Sequence, residues 1–201
     1  MRVLIACEFS GVVRDAFAAR GHEAVSCDLL ASEARGSHVM GDVLDILNAS
    51  PQWDLLISHP PCTYLCNSGV RWLAPAGKLD AKRHAQMMLA CDFFAALYWA
   101  KIKRVCIENP IMHKYARDYL FSAWKVPKFT QSIQPWQHGH GETKRTCLWL
   151  HGGLPPLVPS QIVSGRAPVV HHEPPGVNRW RNRSRTKPGI ADAMAEQWGK
   201  L

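Results

Sequence analysis

The 201-residue chain is 47% hydrophobic and holds eight tryptophans, enough to bury one core at the usual size of a single domain spanning 1–201. No stretch reaches the ~18 to 20 uninterrupted apolar residues of a membrane span, and MRVLIACEF lacks the length and cleavage pattern of a signal peptide, so a cytoplasmic protein with no membrane partner is expected. Seven scattered cysteines exclude the paired spacing of a disulfide scaffold, while 24 Lys and Arg against 16 Asp and Glu suit a polyanionic partner, either nucleic acid or a phosphorylated small molecule.

In chain order, the β-branched run Arg2 to Ala6 predicts a strand, and Gly11 a turn. Val12, Val13, Ala16 and Phe17 then repeat at helical spacing until Gly21. Strand candidates follow at Glu23 to Cys27, ending at Asp28, and at Val39-Met40, closing on Gly41-Asp42. A strand at Asp54 to Ser58 runs into His59-Pro60-Pro61-Cys62, where two prolines end the ladder and present the cysteine at a strand's edge.

From Asp80 to Ala100, Ala85, Met88, Leu89, Phe93, Ala96, Leu97 and Ala100 predict the apolar stripe of a long helix. Val105 to Ile107 reads as a strand that stops at Glu108. Strands alternating with helices imply an α/β fold, a Rossmann-like doubly wound sheet that is mostly parallel and binds its ligand outside the carboxyl ends of the strands. Asp28, Asp42, Cys62 and Glu108 are expected to converge there.

Beyond residue 125, strand candidates at Phe129 to Gln134 and Thr146 to Leu150 flank His138-Gly139-His140-Gly141 and predict an antiparallel edge. The proline-rich region 152–188 carries Arg179, Arg181, Arg183, Arg185 and Lys187 in alternation and reads as a basic ordered loop. Gly189 to Trp198 reads as a short helix.

Strand-end acids suit a nucleoside, because one carboxylate accepts ribose hydroxyls and another an adenine amino group. A thiol set on a sheet rim by two prolines points to a nucleophile. A carboxyl at the next strand end gives it a task. Carbon 5 of cytosine attacks a methyl sulfonium only after a thiolate adds at carbon 6, and that addition needs a proton at ring nitrogen 3.

These residues resemble the cytosine-C5 methyltransferases, which depend on S-adenosylmethionine, over roughly 2–150 and 184–198. Glu8-Phe9-Ser10-Gly11 resembles the family's first motif at the methionine part of the cofactor. Asp28 is similar to its ribose-binding acid, and Gly41-Asp42 to its adenine-binding acid. Asp54 to Cys62 resembles the motif that ends in the Pro-Cys nucleophile, with Pro60 beside the cofactor and Thr63 facing the substrate. Glu108-Asn109 resembles the pair in which glutamate contacts the base and asparagine holds the cysteine loop. Thr143 to Thr146, with Arg145, lies where the family has an arginine-bearing motif, and Ser184 to Ala193 resembles its last motif.

The resemblance implies Cys62, Glu108 and Asn109 as catalytic residues, with Arg145, Arg183 and Arg185 on phosphate. The sequence departs from the family at Thr63, Pro110 and Val13, where glutamine, valine and a second glycine are usual. Residues 151–183 leave no room for a target-recognition domain, and extruding a base from a duplex costs a few kcal/mol. A free cytidine nucleotide, CMP or dCMP, is therefore the expected acceptor, with cytosine in DNA the alternative and a homodimer one source of extra surface.

Three rivals remain. An amino methyltransferase is suggested by His59-Pro60-Pro61, although Cys62 then stands in its aromatic position and Glu108 has no task. A zinc enzyme built from His59, Cys62 and Cys66, or from His138 and His140, has poor ligand spacing, and no metal is expected. A non-catalytic nucleic-acid-binding protein on the same scaffold would leave Cys62 and Glu108 unused.

Overall fold

In a computed structural model of the chain, residues 1–49 and 52–201 are described. Seven strands, β1 (Arg2–Ala6), β2 (Glu23–Asp28), β3 (His38–Met40), β4 (Leu55–Ser58), β5 (Arg104–Pro110), β6 (Gln131–Ile133) and β7 (Thr146–His151), form one sheet in the order β3-β2-β1-β4-β5-β7-β6. The first five pair in parallel, and β7 and β6 close the edge antiparallel.

Period-two alternation feeds both faces of the sheet. Val3, Ile5, Leu55, Ile57 and Cys106 pack with Val13 and Phe17 of α1 (Val12–Ala18) and with Ile190, Met194 and Trp198 of α7 (Pro188–Trp198). Their neighbours Leu4, Leu56, Val105 and Ile107 meet α3 (Ala81–Tyr98) and α4 (Lys114–Trp124) on the other face, joined by Val43 of α2 (Val43–Ala49). Phe17 and Trp198 are fully buried, so truncating either to alanine is expected to cost about 3–5 kcal/mol.

The turn after β1 is locked by two residues. Gly11 has φ +77°, and a Cβ there would meet the Arg14 guanidinium. Arg14 is itself buried, and donates to Ser26 and Ser32 hydroxyls at 3.0 and 3.1 Å and to the carbonyls of Ala34 and Arg35. A charge this deep is tolerated because its donors are satisfied, and it anchors the segment following β2.

Three expectations change. The helical stripe of α3 is Met87, Cys91, Phe94, Ala95, Leu97 and Tyr98, whereas Ala85, Leu89 and Ala96 face outward, because the helix must meet both the sheet and α4. The strand at Val105 does not stop at Glu108: β5 continues to Pro110, since β7 pairs Leu148, Cys147 and Thr146 with Glu108, Asn109 and Pro110. Region 152–188 is not loop throughout. It contains α5 (Val169–His172) and α6 (Arg179–Ser184), so the arginines that alternate in sequence do not form one row.

Candidate active site

β4 and β5 are neighbours, with Ser58 paired to Ile107, so the residues just beyond each lie side by side at the carboxyl edge. Asn109, almost fully buried, donates from Nδ2 to the Pro60 carbonyl at 2.9 Å and tethers the Pro60-Pro61-Cys62 turn to β5. The turn is tightened further as Leu65 and Cys66 N–H groups donate to the Cys62 carbonyl, both at 3.0 Å. A crevice with about 610 Å³ of open space is lined there by Cys62, Glu108, Asn109, His59 and Pro60, by Glu8, Phe9 and Ser10 from the β1 turn, and by Lys144, Arg183 and Arg185.

Glu108 is bonded to His59, whose Nδ1 lies 2.9 Å from Oε2, and their side chains are only 11% and 10% exposed. Burial pushes the Glu108 carboxyl up, but the His59 hydrogen bond and the Lys144 charge outweigh it and hold the group below its ordinary value. Cys62 is pushed up, by its hydrogen bond to Cys66, by burial, and by negative charge on Cys66 and Glu108. Cys66 is pulled down to about 5 by the same Cys62 bond and, against burial, by the Ser68 hydroxyl and backbone N–H groups of Ser68 and Gly69. The shared bond thus favours the proton on Cys62 and the negative charge on Cys66, while the Lys144 charge acts the other way on Cys62.

A second compartment, with about 590 Å³ of open space, shares Cys7 and Pro61 with the first and is lined by Asp28, Leu29, Asp42, Val43 and Phe93. Cys7 stands between the two in the left-handed region, φ +58°, which turns the chain out of β1. Asp28 Oδ1 accepts from Leu30 N–H and Asp42 Oδ1 from Leu44 N–H, each at 2.9 Å, which leaves the other carboxylate oxygen of each. Two half-engaged carboxylates between apolar walls match the donor pattern of a nucleoside.

The site residues read from sequence are thus divided. Asp28 and Asp42 line one compartment; Cys62, Glu108, Asn109, Pro60, Glu8, Phe9 and Ser10 line the other; Gly11 lines neither. Both Glu8 oxygens are engaged at the start of α1, accepting from Val13 and Arg14 N–H at 2.7 and 3.2 Å. Arg145 and Thr63 lie outside the crevice: Arg145 approaches Ser132, and the Thr63 carbonyl accepts from Arg83. Arg183 faces the crevice, whereas Arg185 also does so with its guanidinium held by Glu33 at 2.7 and 2.9 Å.

Sequence reasoning left Lys144, Leu29, Val43 and Phe93 out of the site, and named His59 only for an amine-binding motif or a zinc site. Lys144 adjoins Arg145 in the run Thr143 to Thr146, and its ammonium donates to the Arg185 carbonyl at 3.2 Å. Among the described residues no cluster of three or more His, Cys, Asp or Glu is placed to hold a metal ion. All seven cysteines are free thiols, and no helix among those described is long and apolar enough to cross a membrane.

No family profile matches the sequence, and neither does any curated protein. Solved structures do match. A protein described as a DNA modification methyltransferase encoded within an E. coli prophage superposes with a TM-score of 0.54 at 13% identity, over 88% of this chain and 56% of that one. Entamoeba histolytica methyltransferase EhMeth matches with a TM-score of 0.50 at 13% identity, over 89% of this chain and 61% of that one. The chain has a methyltransferase fold. It spans less than two thirds of the length of either solved chain.

Proposed function

We propose that this chain is an S-adenosylmethionine-dependent methyltransferase that acts on carbon 5 of a cytosine. The observation that carries the reading is the meeting of Cys62 and Glu108 in one crevice, where the turn after β4 lies beside β5. Asp28 and Asp42 would hold the ribose and adenine of the cofactor in the neighbouring compartment, with Leu29, Val43 and Phe93 against its apolar surface. The cofactor supplies an electrophilic methyl group and a positive charge.

Cys62 loses its proton to solvent and its sulfur bonds carbon 6, while Glu108 delivers a proton to ring nitrogen 3. Lys144 lowers the cost of the thiolate. Carbon 5 is then nucleophilic and would take the methyl group; water removes the carbon-5 proton, the Cys62 sulfur leaves, nitrogen 3 returns its proton to Glu108, and the ring is restored. Asn109 acts throughout by keeping the Pro60 carbonyl, and with it the cysteine turn, against β5. A site for an exocyclic amine would need neither Cys62 nor Glu108.

The acceptor we favour is a free cytidine nucleotide, with Lys144 and Arg183 as the phosphate groups in place of Arg145. The whole chain would act as one methyltransferase unit, with 152–188 standing where a target-recognition domain would be. Cytosine in DNA is the second reading, favoured by the likeness to the prophage DNA modification methyltransferase and by the exposed Trp180 beside Arg181. Labelled-methyl transfer to mononucleotides, single strands and duplex in parallel tests both. Transfer at carbon 5 to any of them supports the reading, and transfer only to an amino group would refute it.

A further inference from the structure

His59 takes no part in the steps above, yet it is the closest polar neighbour of the acid. Its ring is buried beside Cys62, and Nδ1 makes the 2.9 Å bond to Glu108. Its other nitrogen, Nε2, is buried and without a partner among the described residues. A polar atom left in that state costs about 1–3 kcal/mol, a cost that a brace for a carboxylate alone would avoid, since asparagine offers the same donor at the Nδ1 position.

The proposed reaction also lacks a proton. An ionised carboxylate only accepts hydrogen bonds, and Glu108 is held toward its ionised form by His59 and Lys144. Of the side chains in the crevice, an imidazole is the one that ordinarily gains and loses a proton near neutrality. We propose that His59 and Glu108 form one proton store, in which the imidazolium supplies the proton that Glu108 hands to ring nitrogen 3. This rests on the cytosine-C5 reading.

The step balances. The Nδ1–H bond of the imidazolium breaks as O–H forms at Glu108 Oε2. The carboxylic acid passes that proton to nitrogen 3 as the Cys62 thiolate bonds carbon 6, which leaves neutral His59 and ionised Glu108. When the sulfur leaves and aromaticity returns, the nitrogen-3 proton goes back by the same path, while the carbon-5 proton goes separately to water. His59 is thus a positioning residue that acts through Glu108.

The titratable and charged groups that line the crevice with the imidazole come from every side: Glu8 from the β1 turn, Glu108 from β5, Cys62 from the turn after β4, Lys144 from the approach to β7, and Arg183 and Arg185 from α6 and its C-cap. Of these, Arg185 is paired with Glu33.

The test is the pH profile of kcat/KM for methyl transfer in the wild type and in His59→Asn, which keeps a donor toward Glu108 but stores no proton. The wild type needs the Cys62 thiolate and the proton of the His59–Glu108 pair together, so it should show a flat limb through neutrality, whereas His59→Asn, with no stored proton to lose, should climb about tenfold per pH unit there with the thiolate and run about 10²- to 10⁴-fold slower near neutrality, with cofactor affinity unchanged. A variant with the wild-type rate and limb overturns the proposal. A second arm follows the ¹⁵N imidazole signals of His59 in the wild type and in Glu108→Gln. A titration that moves to lower pH in Glu108→Gln supports the store, and one that does not move overturns it, even should His59→Asn fail to fold. If the wild type methylates no cytosine acceptor, the cytosine-C5 reading falls, and the second arm alone decides whether the pair holds the proton.

Discussion

Where β4 ends beside β5, His59 and Cys62 lie on a tethered turn and Glu108 on a hydrogen-bonded strand, all mostly buried. Across the crevice, Arg181, Arg183 and Arg185 belong to a six-residue helix and its cap, held by Phe9 against Trp180 with ring centroids 5.7 Å apart and by the Glu33–Arg185 pair. The first side can set reacting atoms to within a fraction of an ångström because the sheet leaves it no freedom. The second is a surface strap whose bonds to the body are few and partly solvated, which suits a wall that must open for an acceptor.

If that division is right, substitutions on the strand ends should strike turnover and those on the strap should strike binding. The largest effect is expected for Cys62→Ser, with no methyl transfer above background and unchanged cofactor binding by calorimetry. Glu108→Gln follows, with kcat lowered about 10²- to 10⁴-fold. Asp42→Asn should weaken the cofactor about 10- to 100-fold, the loss of a charged hydrogen bond, with little change in the rate of the bound complex. Arg183→Ala should raise KM for a phosphorylated acceptor about tenfold at low salt and less at high salt, with kcat held.

The smallest effect belongs to the strap's latch. Glu33 is pulled below its ordinary value by its bond to Arg185. Its contribution is therefore present above the unfolded carboxylate value of about 4.3 and is lost as the pH falls through the lower folded value. Both partners are about one-third exposed, so Glu33→Gln should lower stability by less than about 1 kcal/mol near neutrality, with the difference vanishing in acid melts. A strap substitution that lowered kcat as far as Glu108→Gln would break the comparison.

Local pattern was enough to read β1, β2, β4 and α7, because a short apolar run or a capped helical stripe needs only its own neighbours in sequence. It was not enough where a distant partner decides. β5 extends over Glu108 to Pro110 because β7, far along the chain, supplies the hydrogen bonds. Leu89 is outward because α4 fixes the phase of α3. The crevice shows the same limit. Cys62 and Glu108 were legible from their placement after short apolar runs and from motif order, whereas His59 gains its meaning from a bond across 49 positions, and that Lys144 rather than Arg145 lines the crevice is set by the folded chain.

A covalent bond from Cys62 to the cytosine ring is the central step of the proposed reaction. Incubating the protein with S-adenosylmethionine and an acceptor carrying 5-fluorocytosine, whose fluorine cannot leave as the proton does, should trap that bond. Mass spectrometry of the digested protein should then find the acceptor and the added methyl group on the peptide containing Cys62, and nothing on the same peptide from Cys62→Ser. Methyl transfer to unmodified cytosine by Cys62→Ser, or turnover of the wild type with no adduct at Cys62, would contradict it.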